Sequence, residues 1–403
     1  MTIAENLTPN KILNFQIERM LAYWIEETRH IDADSLKKLD FEKHNLFRAV
    51  QIGLRHKRAG AETAVILCQA VPFVAQRGYW KDWIPLLEQS LRDARVHFPE
   101  KQVPLMINLG RAYQLDRQLD KAIAIHLEAE KRVDKRLDTQ LWTQIQHDLL
   151  EDYYFDKQFT QAKAAGLAAI ERLKEKGEST TLLANCYKMM GSVSFELGEY
   201  TQSETYFDQA IASWRLLNSP IHLARTLNDK SRLLIANERL TEAEICLTEA
   251  ERLLAPTMSE LDKCMIQINL GSVFASQQKW KKAETAFRKT NSPYLRQSIN
   301  IASKAKITNN LGYVLFMQMK YELAEGFLHQ SLSYCQETGD ELEYANTLSN
   351  LINCYHVRGK KEAVLPLYND LFQILAKYPD NLFAQRLYKK YREKYKTQQV
   401  KKK

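Results

Sequence analysis

The chain has 403 residues, 45% hydrophobic and 10% aromatic, too rich in core-forming side chains for a disordered segment. Its formal charge of +8 is concentrated at one end: residues 381–403 hold nine Lys/Arg and one Glu, and the other 48 basic and 48 acidic residues cancel. That excludes a uniformly basic nucleic-acid-binding body and leaves a neutral body with a basic end.

No run approaches 18 apolar residues, so a conventional spanning helix is not expected. The opening MTIAENLTPNKILNF lacks a basic stretch leading into an apolar core, which predicts no signal peptide. Cys68, Cys186, Cys246, Cys264, Cys335 and Cys354 form no CxxC pair, and most fall on apolar helix faces. They read as small core residues of a reducing, cytoplasmic protein, neither disulfide partners nor metal ligands.

Residues 11–29 and 38–58 read as two helices, with Asp32 or Asp34 capping a short turn between them. From there an interval near 40 residues takes over. Val71, Gly110, Leu150, Gly191, Ser231, Gly271, Gly312 and Ile352 lie 39, 40, 41, 40, 40, 41 and 40 residues apart, each inside an apolar-periodic segment. An isolated Gly costs about 1 kcal/mol in a helix interior, so four of them at this spacing need a packing reason.

The clearest unit places Gly191 mid-helix, Gly198 at the helix end, Tyr200 at the next start, and Ser203, Phe207 and Ala210 on an apolar face. Gly271 heads the same series with Phe274, Trp280, Ala283 and Phe287, and Gly312 heads another with Leu315, Tyr321, Ala324 and Leu328. The copy at Ile352, with Tyr355, Gly359 and Ala363, reads as having a turn one residue shorter. The recurring large residues, Trp80, Trp280, Tyr200 and Tyr321, read as seam fillers.

This pattern resembles the tetratricopeptide repeat: a small eighth residue, a large eleventh, Gly at the fifteenth, and Ala at the twentieth and twenty-seventh. The 40-residue spacing is similar to the longer variant of bacterial peptide-sensing regulators and of the sensor regions of signalling ATPases. The string Leu39-Asp40-Phe41-Glu42 through Ala49, then Gly60 to Ala64 and Gly78-Tyr79-Trp80, resembles the segment that opens such arrays. No GxxxxGK[ST] occurs, so the chain looks like a sensing arm alone. The resemblance implies an all-α, right-handed α-solenoid of stacked antiparallel hairpins. Residues 1–62 would form a helical cap, 63–378 about eight hairpins, and 379–403 a basic helix and tail.

First helices of stacked hairpins line a concave face. Two residues before each small position stand Asn108, Asp148, Met189, Asp229, Asn269, Asn310 and Asn350. Helix propensity does not favour Asn or Asp there. Either the amides bond the backbone of an extended peptide, as the resemblance implies, or they bond the neighbouring hairpin and fix the stack. By helical phase Arg111, His147, Glu151, Tyr154, Lys188, Arg225, Asn228, Arg232, Asn309, Tyr313, Asn353 and His356 join that face. Lys188, Arg225 and Arg232 would favour an acidic segment or a terminal carboxylate.

The nine His are scattered, and no HExxH, GxSxG or dinucleotide fingerprint is present, which points away from an enzyme, a metal or a cofactor. The function expected is a protein or peptide binder, as a regulatory or sensor component. The alternatives are a nucleic-acid-associated regulator using residues 386–403, or a self-associating adaptor; the oligomeric state is open.

Overall fold

The computed structural model describes residues 9–175, 180–257, 259–290 and 300–400. Among them the secondary structure is helical, without strands. The chain divides into two compact units, residues 1–213 and 214–403, the division falling inside one helix.

The first unit opens with α1 (Pro9–Arg29), whose Ile17, Leu21, Trp24 and Thr28 are buried where it packs on the third and fourth helices. The helix expected over 38–58 is divided: α2 (Ala33–Phe41) and α3 (Lys43–Arg55) meet at Glu42, which leaves helical geometry with φ −96° and ψ 11°. Asp32 supplies the expected cap, its carboxylate accepting the Ser35 N–H at 2.8 Å. Next come α4 (Gly60–Gln69) and α5 (Val71–Arg77), interrupted at Ala70 just before Pro72, then α6 (Trp80–His97). The hairpins α7 (Gln102–Leu115)/α8 (Leu119–Glu130), α9 (Thr139–Phe155)/α10 (Phe159–Lys174) and α11 (Thr181–Glu196)/α12 (Tyr200–Leu216) follow.

The second unit repeats the scheme. Its hairpins are α13 (Pro220–Ala236)/α14 (Leu240–Leu254), α15 (Glu260–Ser276)/α16 (Trp280–Lys289), α17 (Ile301–Met317)/α18 (Tyr321–Thr338) and α19 (Glu341–Val357)/α20 (Lys361–Leu375). A final helix, α21 (Leu382–Val400), packs on α19 and α20.

The 40-residue interval marks where the two helices of a hairpin cross. The side chain sixteen residues after the small position fills the space above it: a Cβ on Gly191 would stand 2.7 Å from Phe207, on Gly271 2.6 Å from Phe287, and on Gly312 2.8 Å from Leu328. In α9/α10 the sizes are exchanged. Leu150 is the large partner and Gly166 the small one, where a Cβ would meet Met190 Sδ at 2.3 Å. Close packing is conserved as a large–small pair, not as a Gly at one site.

Seven residues after each small position the backbone turns left-handed, with φ between 59° and 76°. The residue after it donates its N–H to the carbonyl five back, as in Gln118 to Tyr113, Lys279 to Phe274 and Lys360 to Tyr355. This is the Schellman closure. Gly occupies the bend at 78, 198 and 359, but Arg117, Lys157, Glu238, Gln278 and Met319 take the same conformation without it. The bend at Gly359 has the same length as the others. Buried Val364 sits at the crossing, while Ala363, the sequence-based choice, is exposed.

Candidate partner-binding face

In the second unit each first helix carries a solvent-facing or half-buried stripe at i, i+4, i+7 and i+11, as helical geometry requires for one face. On α13 it is Arg225, Asp229, Arg232 and Ala236; on α15 Met265, Asn269, Ser272 and Ser276; on α17 Lys306, Asn310, Tyr313 and Met317; on α19 Asn346, Asn350, Asn353 and Val357. Consecutive first helices touch, so the stripes adjoin.

The amides are tied between hairpins. Asn269 donates its Nδ2–H to Asn228 Oδ1 at 2.8 Å, and Asn350 repeats the bond to Asn309 Oδ1 at 2.9 Å. Asn309, fully buried, in turn donates to Glu343 Oε1 at 2.9 Å. Burial lifts the Glu343 carboxyl above its usual range, with the Asn309 bond acting against the rise. Asn228 and Asn309 are therefore acceptors inside the stack. Asn269 and Asn350 each keep a carbonyl oxygen and a second N–H after making their inter-hairpin bond. Arg225 grips Asp262 of α15 through three bonds of 2.8–3.0 Å. Asp229, Arg232 and Lys188 also have partners. Exposed apolar side chains rise beside the amides: Met265 (47% exposed), Tyr313, Met317 and Val357.

In the first unit the equivalent positions are Asn108 and Arg111 on α7, Asp148 and Glu151 on α9, and Met189 and Ser192 on α11. Asn108 returns its amide to the Pro104 carbonyl within α7 at 2.8 Å. Arg111 reaches Asp148 on α9 through Nε at 3.0 Å and Nη2 at 3.2 Å, and Asp148, 2% exposed, also accepts from Gln144. Burial opposes the Asp148 charge, but Arg111 and the neighbouring histidines His147 and His126 outweigh it and hold the carboxyl well below the usual range. Below it, His126 occupies the space over Gly110, where a Cβ would meet its Nε2 at 2.2 Å. His126 Nδ1 lies 2.6 Å from Asp152 Oδ2, and Nε2 lies 3.1 Å from the Ile107 carbonyl. Burial works against protonation of His126 and His147, yet Asp152, Asp148 and Glu151 raise both above their ordinary range.

His147, Asp148 and Glu151 bring ligand-type atoms within 4.8 Å of one another. Asp148 is already engaged by Arg111, while Glu151 stands 3.9 Å from His147 Nε2. Met189 is buried in α11. The candidates thus include an amide set, Asn228, Asn269, Asn309, Asn310 and Asn350, in the second unit and a charged set, Arg111, Asp148, Glu151 and Lys188, in the first, with Arg225, Asp229 and Arg232 adding charge to the second.

Two features were not read from the sequence. One is a lysine eight residues after the small position that meets a glutamate of the preceding hairpin: Lys279 to Glu244 at 2.9 Å, Lys320 to Glu284 at 2.8 Å, Lys360 to Glu325 at 2.6 Å. In the first unit Lys163 and Glu199 make the bond with the signs exchanged, at 2.6 Å. Burial acts against the Glu284 charge, but bonds from Lys320, Arg288 and Gln318 outweigh it and draw its pKa down to about 2. Opposite charges about 36 residues apart were the available signal. The other is the docking of α21: Ala384, Leu387 and Tyr391 are buried, and Tyr391 donates to the Ser349 carbonyl at 2.7 Å. Asn353, a candidate on the binding stripe, donates to Tyr391 Oη at 2.8 Å and accepts from Lys394 at 2.9 Å. The basic residues Arg386, Lys389, Lys390 and Arg392 face outward.

Stacked helical hairpins with a small–large crossing and a left-handed bend make an α-solenoid of the architecture that tetratricopeptide repeats build. Residues 183–224, covering most of α11/α12, match the tetratricopeptide repeat family. No curated protein matches the sequence. Among solved structures the chain is similar to the apo quorum sensor NprR from B. thuringiensis, at 12% identity and a TM-score of 0.58, covering 90% of this chain and 99% of that one. It is also similar to a Rap protein complexed with competence and sporulation factor (13% identity, TM-score 0.55, 90% and 98% covered). A third is a signal transduction ATPase with a tetratricopeptide repeat sensor from Pyrococcus horikoshii (14%, TM-score 0.56, 94% and 68% covered). At these identities the likeness concerns the fold. Among the described residues no helix is long and apolar enough to cross a membrane.

Proposed function

We propose that the chain is a non-enzymatic regulatory module that takes a peptide or a segment of a partner protein across the first-helix stripes of its second unit. The observation carrying this reading is the pair Asn269 and Asn350. Each is fixed by one inter-hairpin bond and still holds a free carbonyl oxygen and N–H, beside the exposed Met265, Tyr313, Met317 and Val357. Anchored amides could bond a peptide backbone at little entropic cost, and the apolar neighbours could take its side chains. The Arg111–Asp148 pair of the first unit is already satisfied internally and suits a supporting role. A regulatory or sensor task is supported by the fold likeness to a quorum sensor and to the sensor-bearing ATPase.

Panning a displayed random-peptide library against the full chain tests the reading. Enriched peptides should bind with micromolar affinity, and Tyr313→Ala or Met265→Lys should weaken them at least tenfold without moving the melting temperature. Failure to enrich any peptide, or binding indifferent to both substitutions, would refute it.

A further inference from the structure

We infer that α1 is a self-association surface, pairing antiparallel with α1 of a second copy about a twofold axis beside Glu18 and Arg19. The helix buries one stripe in its own unit through Ile17, Leu21, Trp24 and Thr28. A second face, Lys11, Phe15, Glu18, Ala22 and Glu26, is exposed along its length, with Glu18 and Ala22 bordering a groove shared with His56, Arg58 and Glu62 of the same unit. Phe15 is 55% exposed, and the flanking Ile12, Leu13 and Tyr23 are exposed too. Burial of the Ile17/Leu21/Trp24 stripe gives no folding reason for Phe15 to stand exposed among charges on another face.

The order of residues on that face specifies the occupant. A twofold contact is isologous, so every residue meets the mirror position of the same helix. Antiparallel pairing about Glu18/Arg19 sets Lys11 against Glu26, Phe15 against Ala22, Glu18 against Arg19 and Tyr23 against Asn14. Opposite charges meet at both ends and at the centre, and the aromatic Phe15 meets the smallest side chain, Ala22. A shift of one turn puts Phe15 opposite Glu26 or Glu18, and parallel pairing sets Lys11 beside Lys11. One register satisfies size and charge together. Glu26 carries a bond to Arg29 of its own helix at 3.2 Å, an exposed pair that a partner charge can exchange.

A 21-residue helix is roughly 32 Å long, and one such helix pair lies at the low end of specific interface areas. The dimer is therefore a concentration-dependent one, with a micromolar dissociation constant.

Sedimentation equilibrium of the full chain at low salt, from low to several hundred micromolar, reads it directly. The wild type should pass from monomer to dimer mass. Phe15→Ser, Lys11→Glu and Glu26→Lys should each raise the dissociation constant tenfold or more, with unchanged circular dichroism because all three sites are exposed. An equimolar mixture of Lys11→Glu with Glu26→Lys should recover the dimer, since each new charge then faces its opposite. Constant monomer mass overturns the proposal, as does a dimer indifferent to the three variants or one that mixing does not restore.

Discussion

The seam between α7/α8 and α9 in the first unit and the seam between α15/α16 and α17/α18 in the second solve one packing problem with different chemistry. Over Gly271 lies Phe287, an apolar plug, and two residues after Gly312 in the next hairpin stands Val314, in the same apolar cluster as Phe287. Over Gly110 lies His126, and two residues after Leu150 stands Asp152. At that second position the other hairpins carry Ala112, Val193, Leu233, Val273 and Cys354, all buried. An apolar contact and a buried ion pair thus occupy equivalent ground. The first contains no ionisable group. The second ties the seam to the protonation of two histidines and adds Gln114, which donates to Asp152 at 2.8 Å.

The largest break in this comparison comes from Asp152→Val alone. It strips His126 of its partner while leaving the imidazole buried, and unfolding free energy should fall by about 3–5 kcal/mol in chemical denaturation. Adding His126→Phe installs the apolar pair of the second unit, and stability should return to the wild-type value or above it. A double variant as weak as the single would show that the seam needs its charge. The same pair tests pH dependence. His126 and His147 have raised folded pKa values, so their contribution is complete below about pH 6.5 and is lost as pH rises through those values. Asp148 runs the other way, and its contribution is lost as pH falls below about 4. The wild-type melting temperature should therefore decline above neutrality, and the double variant should decline less.

A smaller effect sharpens the contrast from the amide side. Asn269→Ala leaves the buried Asn228 oxygen without its donor, and should cost about 1–2 kcal/mol. The loss should be the same at pH 5 and pH 9, because no group in that bond titrates. A pH-dependent loss would mean that charge reaches this seam as well. Smallest of all is the bend. Met319, 75% exposed, holds φ at 62°, and Met319→Gly should gain up to about 1 kcal/mol by removing the left-handed strain. The equivalent Gly198→Ala should lose a similar amount by the same route.

The phase of the hairpins was legible because close helix crossing leaves a periodic mark: Gly110, Gly191, Gly271 and Gly312 are each the floor under a large residue sixteen positions later. The exchange at Leu150/Gly166 was not legible, because a sequence shows one small residue and not which helix supplies it. The bends at Arg117, Lys157, Glu238, Gln278 and Met319 lacked a glycine signal, since the following N–H bonds hold them whatever the side chain. Among the candidate site residues the Asn/Asp interval was visible, but its division into inward acceptors and outward amides was not. Asn228 and Asp229 are adjacent in sequence, and a turn of 100° per residue sends one into the stack and the other to its surface.

By itself the sequence determined that this is an all-helical repeat with a neutral body and a basic end, because periodicity, composition and charge are local and additive. The tertiary structure decided what the polar residues of the first helices do. It tied Asn269 to Asn228 and Arg111 to Asp148, filled the space over Gly110 with a histidine, and laid α21 across Asn353. Those assignments depend on distances between residues some 40 positions apart, which only the packed stack makes short.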